Sequence, residues 1–439
     1  MWHIDFMSFL FDARQLSCKC MTTVMHMHHS CHANASQLSC MNYVPWFFLR
    51  TQGKQNSDSF GTIRSNIKKF NCTKNKKEIS LMDNVVILHK DRNSAIELLR
   101  IVCMMFIIGL HVIGFGIVPT FHSDLFFGGS NYIICKSLHA VFCVAVDTFV
   151  IISGYFGLRF KPRKILKIWL MVLFYSYLIF VLKCIFAGGV DQHDISYLFP
   201  IISRKYWFIS VYFVLCLISL LINKMITTLS QSQLHHVVLV LFAVYYGWAT
   251  FSYCLNFPQM IPDFGGGIVN FIVLYLIGRD IRLNFNRKIK TGTYFLAFAS
   301  IVIISVLLET IICSILHFDF SSFENDDTVF TVLCAITLFL AFRNIHFQSR
   351  LINLLAVNCL AVFVIHMNDI AMPLIRDVFH LQEVTGWTIV LTCLCVPVIV
   401  YIVGIIIEAI RKLLMSKIED WIINFMEKQL KKAHLCWIS

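Results

Sequence analysis

Ten apolar runs of membrane-span length constrain this chain more than any other feature. They cover residues 96–118, 132–156, 165–187, 206–223, 234–252, 266–281, 293–317, 328–342, 351–373 and 386–410. A helix that crosses a bilayer needs about 20 mainly apolar residues. The mean hydropathy of +0.72 and the 14% of charged residues are also outside the range of soluble domains. The sequence therefore predicts an all-α integral membrane protein with about ten transmembrane helices in one bundle.

The charges are distributed unevenly between the loops. Lys and Arg concentrate after the second, sixth and eighth runs and in the C-terminal tail, whereas the alternate loops hold few, with Arg204, Lys205 and Arg376 as exceptions. Basic loops face the cytoplasm in membrane proteins, and an even number of spans returns the chain to the side where it began. We therefore expect both termini in the cytoplasm. The net charge of +12 is explained by these loops, and the chain has no module that would read nucleic acid.

Composition divides the chain into three parts. Residues 1–81 are rich in Met, His, Cys, Ser and Asn and show no lasting apolar periodicity. Their Cys and His residues allow a soft-metal cluster, but the spacing fits no standard zinc module, so no metal site is expected. The alternative is that this segment is disordered, or that it is an upstream stretch translated from a misplaced start codon. Met82 would then be the natural start of the membrane domain. Residues 82–412 form the membrane domain, and 413–439 form a cytoplasmic amphipathic tail.

The first apolar run carries three polar residues along one helical stripe. His111 follows Arg100 by eleven residues, about three helical turns, and Glu97 precedes Arg100 by one turn. Ionisable groups inside membrane segments usually face a protein interior or a water-filled cavity. A neutral imidazole can accept a proton from an alcohol, and an arginine can hold a phosphate-bearing cofactor. The alternatives are a snorkelling Arg100 and a His111 bonded to a neighbouring helix.

Two further features lie on the second run and its following loop. Asp147 lies near the middle of that run, where a carboxylate is a functional candidate unless it only pairs with a polar group for folding. The loop carries Arg159, Arg163 and Lys164. These cations predict a site for the phosphates of a nucleotide cofactor, with the topology-setting role of basic loops as the alternative.

Two later segments are candidate substrate-binding sites. Tyr206 and Trp207 open the fourth run beside two cations, where they could stack on a sugar or belong to the aromatic belt of the membrane interface. His366 lies near the end of the ninth run, and the alternative for it is a histidine with a local hydrogen-bond partner at a helix end.

Four segments together resemble a known family. They are RNSAIELLRIVCMMFIIGLHV, VAVDTFVIISGYF, YWFISVYFVLCLISLLIN and AVFVIHMND. They are similar to the acyltransferase family 3, the membrane-bound O-acyltransferases of surface glycans, whose arginine–ten residues–histidine motif matches Arg100 and His111. The resemblance covers about residues 90–412. The fourth run lacks the proline usual near its end, and Val364 stands where an aromatic residue is common.

This resemblance implies an acyl donor, a glycan acceptor and a location. The family uses acetyl-CoA on the cytoplasmic side and transfers its acetyl group to a cell-surface polysaccharide or a lipid-linked precursor. The segment SGYFGLRFKPRKILKIWL resembles capsule or exopolysaccharide members. The expected location is the bacterial inner membrane, with lipid around the helices. The motif and the positions of the polar residues in the first two runs together make His111, Arg100 and Asp147 candidate catalytic residues and Glu97 a candidate substrate-binding residue.

Two other functions remain open at this stage. A transporter or flippase of lipid-linked sugars would favour broken helices and an ion-coupling site at mid-membrane, for which Asp147 is the one candidate. A non-catalytic scaffold for glycan assembly is the third. Convergence of Arg100, His111 and Asp147 on one cavity that is open to the cytoplasm would favour the enzyme.

Overall fold

The computed structural model describes residues 93–117, 129–186, 191–255, 257–287, 289–316 and 322–432. The leader, residues 1–81, and the expectations attached to it lie outside these residues.

The described chain consists of helices and their connections. In chain order the α-helices are α1 Ser94–His111, α2 Ser130–Phe142, α3 Ala145–Phe156, α4 Pro162–Phe186, α5 Trp207–Thr228, α6 Gln231–Leu241, α7 Trp248–Leu255, α8 Ile268–Asn284, α9 Thr291–Leu316, α10 Val329–Arg343, α11 Arg350–Ala356, α12 Cys359–His366, α13 Ala371–Val378 and α14 Thr388–Lys432. Short 3-10 helices occupy Gln192–Leu198, Ser322–Glu324 and Leu381–Glu383, and π-helical turns occupy Val112–Ile117 and Phe242–Gly247. No strand occurs in these ranges, so the all-α prediction is confirmed.

The helices coincide with the ten apolar runs but differ in length. Seven helical segments of the described chain are long and apolar enough to cross a membrane, and the pair α12 and α13, bent by 81°, would make eight. α8 and α10 have 17 and 15 residues, which gives lengths of about 25 and 22 Å. They match the sixth and eighth apolar runs of the sequence, which are themselves short.

The bend between α12 and α13 is fixed by one amide side chain. Asn368 Oδ1 accepts hydrogen bonds from the backbone N–H groups of Ile370 and Ala371, at 3.0 and 2.9 Å. This satisfies donors that the first turn of a helix leaves without partners. The chain therefore ends α12 at His366 and starts α13 in a new direction.

α3 and α8 cross at backbone contact. A Cβ atom on Gly154 would lie 2.2 Å from the carbonyl oxygen of Tyr275, and one on Gly278 would lie 2.4 Å from that of Ile151. Only glycine allows two helices to approach so closely. The crossing lies in the centre of the hydrophobic core, where Ile151, Ile152 and Tyr275 are fully buried.

The outer helices present apolar side chains outward. α9 exposes Ile303, Leu307 and Ile311, and α14 exposes Ile402 and Ile406. Apolar surface on this scale requires a lipid environment in place of water.

α14 extends far beyond the last apolar run. It is one helix of 45 residues, and the boundary expected after residue 412 falls inside it. Arg163 on α4 donates to Asn424 Oδ1 at 2.8 Å and pairs with Asp420 and Glu427. The C-terminal part of α14 therefore docks on α4 through charges that a free tail would leave in solvent.

We expect Gly278→Ala to destabilise the protein, because the new methyl group must displace the backbone of α3. Overpacking of this kind costs about 1–3 kcal/mol. The measurement is thermal unfolding of the detergent-purified protein. Gly292→Ala is the matched control: a Cβ there meets nothing within 4 Å, and alanine in a helix is favoured by about 0.5–1 kcal/mol. A Gly278→Ala protein as stable as the Gly292→Ala protein would contradict the close crossing.

Candidate functional site

Two histidines from distant parts of the chain meet at the C-terminal ends of α1 and α12. His111 Nδ1 lies 2.9 Å from His366 Nε2, and His366 Nδ1 lies 2.7 Å from the carbonyl oxygen of Val362. His366 is buried. Each ring therefore has a defined partner, and the two imidazoles form a short chain that ends on a backbone carbonyl.

This chain determines which nitrogen of His111 is free. A carbonyl oxygen only accepts, so His366 Nδ1 must carry a proton and donate it. In the neutral ring, His366 Nε2 then accepts the proton of His111 Nδ1. The Nε2 atom of a neutral His111 consequently bears an unprotonated lone pair, the form that a general base requires.

His111 lines a cavity of about 210 Å³, here called the His111 cavity. Its other polar lining residues include His139, Glu324 and Asp326, and its aromatic lining residues include Trp207 and Phe264. Aromatic faces and carboxylate oxygens are groups that can stack on a sugar ring and accept hydrogen bonds from its hydroxyls.

An ionic cluster that the sequence did not reveal lies beside this cavity. His139 Nδ1 is 2.7 Å from Glu324 Oε2, and Lys136 Nζ is 3.5 Å from both Glu324 Oε2 and Glu309 Oε2. The cluster joins α2, α9 and the 3-10 helix Ser322–Glu324. His139 and Lys136 are separated by three residues on one helical face, which is the only signal in the sequence. Their carboxylate partners lie more than 150 positions further along the chain.

Two carboxyl groups in the loop before α10, those of Asp326 and Asp327, have raised pKa values. Burial, reinforced by repulsion from Asp327, raises the pKa of Asp326 to about 7. Burial also raises the pKa of Asp327 to about 6, although a hydrogen bond from the Tyr253 hydroxyl opposes this. Asp326 can therefore be either a donor or an acceptor toward a ligand in the His111 cavity near neutral pH.

Arg100 lines a second cavity, of about 490 Å³, here called the Arg100 cavity. The Nη1 atom of Arg100 is 3.2 Å from both carboxylate oxygens of Glu97. The lining also includes Lys164, Ser153 and Tyr212. Tyr212 and Ser153 share a hydrogen bond of 3.0 Å. The pairing with Glu97 uses one guanidinium nitrogen and leaves the remaining Arg100 donors available.

The two cavities share a wall of three apolar side chains. Ile107, Phe208 and Phe363 line both. Arg100 and His111 therefore face two cavities that adjoin through side chains with no polar groups. The convergence on one cavity that would favour an enzyme is not found.

Asp147 lines neither of these cavities. It is fully buried, and its Oδ1 atom is 3.5 Å from Asn270 Nδ2. Asn270 also donates to the carbonyls of Gly265 and Asp326, at 3.0 and 3.2 Å, and accepts from the Tyr246 hydroxyl at 2.7 Å. The contacts of Asp147 thus connect α3 to α8 and to the loops beside the His111 cavity.

The remaining candidates are divided between the cavities and other contacts. Trp207 lines the His111 cavity, and Lys164 lines the Arg100 cavity. Tyr206 is buried and lines neither cavity. Arg163 is paired with α14, and Arg159 is exposed on the basic loop.

Within the described ranges, no three His, Cys, Asp or Glu side chains are grouped so that they could hold a metal ion.

Comparison with known proteins identifies the family. A family model described as an acyltransferase domain, Acyl_transf_3, matches residues 93–408. No curated protein and no solved structure matches the chain. The matched region runs from the start of α1 into α14 and contains both cavities. The chain therefore belongs to the acyltransferase family 3, and it is a membrane acyltransferase.

Proposed function

We propose that this enzyme transfers an acetyl group from acetyl-CoA to a hydroxyl of a capsular or exopolysaccharide, or of its lipid-linked precursor. The observation that carries the proposal is the position of His111. His111 lines a cavity whose aromatic and carboxylate side chains suit a sugar, and Arg100 and Lys164 line an adjoining cavity.

The proposed orientation follows the charges of the loops. If the bent pair α12 and α13 forms one span and the short helices α8 and α10 also cross the bilayer, the structure has ten spans. Both termini and the Arg100 cavity then lie on the cytoplasmic side of a bacterial inner membrane. Burial of α8 among other helices supports this, because a short helix surrounded by protein need not match the full thickness of the lipid. The donor would then enter from the cytoplasm and the acceptor from the opposite side.

Arg100 and Lys164 bind the donor in this proposal. A guanidinium forms paired hydrogen bonds to phosphate oxygens, and a second cation adds charge. The neutral wall formed by Ile107, Phe208 and Phe363 separates the two cavities, so the thioester of the bound donor would have to meet the acceptor hydroxyl at this wall. Glu97 holds the guanidinium of Arg100 in position from one side.

The chemistry of the transfer requires one proton acceptor. His111 Nε2 takes the proton of the acceptor hydroxyl as its oxygen attacks the thioester carbonyl carbon. The new C–O bond forms, the C–S bond breaks, and the proton passes from the imidazolium to the departing thiolate. His366 stabilises the transient imidazolium by accepting the hydrogen bond from His111 Nδ1. An acyl-imidazole intermediate would use the same Nε2 lone pair.

We expect His111→Ala to lower acetyl transfer by about 100- to 10,000-fold, the usual contribution of a general base. Transfer is measured with radiolabelled acetyl-CoA in membranes that contain equal amounts of protein. His236→Ala is the control, because His236 is exposed on α6 and should tolerate the change. Activity of His111→Ala within a few-fold of the unaltered enzyme would refute the assignment.

His366 acts through His111, so the loss of kcat on substituting His366 should depend on whether the new side chain can still accept a hydrogen bond from His111. His366→Ala removes the acceptor for His111 Nδ1 and should lower kcat by about ten- to a hundredfold, the equivalent of 1–3 kcal/mol. His366→Gln offers an amide oxygen in the same region and should recover part of the loss. The donor KM should remain unchanged in both. Equal kcat values for the two variants would argue against a positioning role.

Arg100→Lys keeps the charge but loses the planar fork, so we expect the donor KM to rise about tenfold while kcat changes little. Arg350→Lys, an exposed residue at the start of α11, is the matched control. Saturation kinetics in acetyl-CoA provide the measurement. Identical donor KM values for the Arg100 and Arg350 variants would exclude paired contacts between Arg100 and the donor.

A further inference from the structure

A third cavity lies apart from the two that adjoin His111 and Arg100. It measures about 470 Å³ and lies between the C-terminal ends of α8 and α10 and the start of α9. Here it is called the basic cavity. It shares no lining residue with the Arg100 cavity.

The lining of the basic cavity is strongly one-sided in charge. Arg282, Arg287, Lys290, Arg343 and His346 line it, together with two asparagines, and neither Asp nor Glu is among its described lining residues. A basic loop that only sets the membrane topology needs enough Lys and Arg residues, but those residues need not surround a common cavity. Convergence without a neutralising carboxylate is typical of a site for an anion.

Two of the arginines are held in place by contacts other than ion pairs. Arg282 donates to the Tyr155 hydroxyl at 3.0 Å and lies 5.1 Å from the centroid of that ring. Arg343 donates to the Phe285 carbonyl at 3.1 Å and lies 5.2 Å from the centroid of the Phe285 ring. Each contact uses one guanidinium donor and leaves others for a ligand.

The backbone around the basic cavity also favours an anionic ligand. Asn344 Nδ2 donates to the Ile289 carbonyl at 2.8 Å, and Arg343 covers the carbonyl of Phe285. These acceptors at the edge of the cavity are therefore already occupied. α9 begins at Thr291, another lining residue, and the N-terminal end of a helix attracts negative charge.

We propose that the basic cavity binds a phosphate ester. Arginine forks match the geometry of phosphate oxygens, and a phosphate is small enough to be surrounded by three or more cations in this volume. A phosphate at this face of a membrane protein has two sources, the headgroup of an anionic phospholipid or a soluble phosphorylated molecule. The inference concerns binding alone and does not depend on the proposed acyl transfer.

The test removes two exposed cations that do not anchor the cavity. R287Q/K290Q is compared with K417Q/K428Q, which removes the same charge from exposed positions on α14. The full-length protein is incorporated into nanodiscs of phosphatidylcholine and phosphatidylglycerol, and the phosphatidylglycerol retained after extraction into neutral detergent is counted by native mass spectrometry. In a second arm, binding of adenosine 3′,5′-bisphosphate to the detergent-solubilised protein is measured by equilibrium dialysis.

We expect R287Q/K290Q to weaken the binding of one of the two ligands by about tenfold or more, since each basic residue near a membrane surface contributes appreciably to anion binding. Loss of retained phosphatidylglycerol identifies a lipid phosphate, and loss of bisphosphate binding identifies a soluble one. The proposal is overturned if both ligands bind as they do to the unaltered protein. It is also overturned if K417Q/K428Q weakens binding equally, because surface charge alone would then explain the effect.

Discussion

The hydrogen bond between His111 and His366 is the interaction on which the arrangement of the site depends. An imidazole inside an apolar helix bundle must find a partner, because an unpaired polar group there costs several kcal/mol. His111 finds its partner on α12, and α12 ends at that residue because Asn368 turns the chain into α13. The bend therefore has a chemical consequence: it places a ring nitrogen within reach of α1. The resulting tautomer is set by the carbonyl of Val362, four residues before His366.

Much of the fold could be predicted from apolar periodicity and loop charge. Within the described residues each of the ten runs contains helix, and the polar stripe on α1 does bring Glu97 beside Arg100. Contacts between distant segments could not be predicted in this way. His366 was a candidate because it is polar in an apolar run, but its bond to His111 spans 255 positions. Arg163 and Lys164 are neighbours in the sequence, yet one pairs with α14 and the other lines the Arg100 cavity, because adjacent helical residues point in different directions.

The division of the site into two cavities also escaped prediction, for a geometric reason. The spacing of Arg100 and His111 places both on one face of α1, but it does not reveal which neighbouring side chains fill the space between them. Phe208 and Phe363 come from α5 and α12 and close that space. A donor and an acceptor that meet at such a wall need not be in water together. In the proposed transfer, such a wall would limit loss of the acyl group to hydrolysis, because apolar side chains leave little room for water beside the reacting atoms.

Asn270 holds two loops beside the His111 cavity through contacts that do not depend on the side chains of those loops. Its amide binds the backbone oxygens of Gly265 and Asp326, which belong to two different loops. A backbone oxygen is present whatever the side chain, so this attachment places little demand on the identity of the other loop residues. The loops can therefore change their side chains, and with them the ligand that they contact, while their separation stays fixed. A single buried amide thus allows the side chains beside the His111 cavity to vary while the backbone that carries them keeps its position.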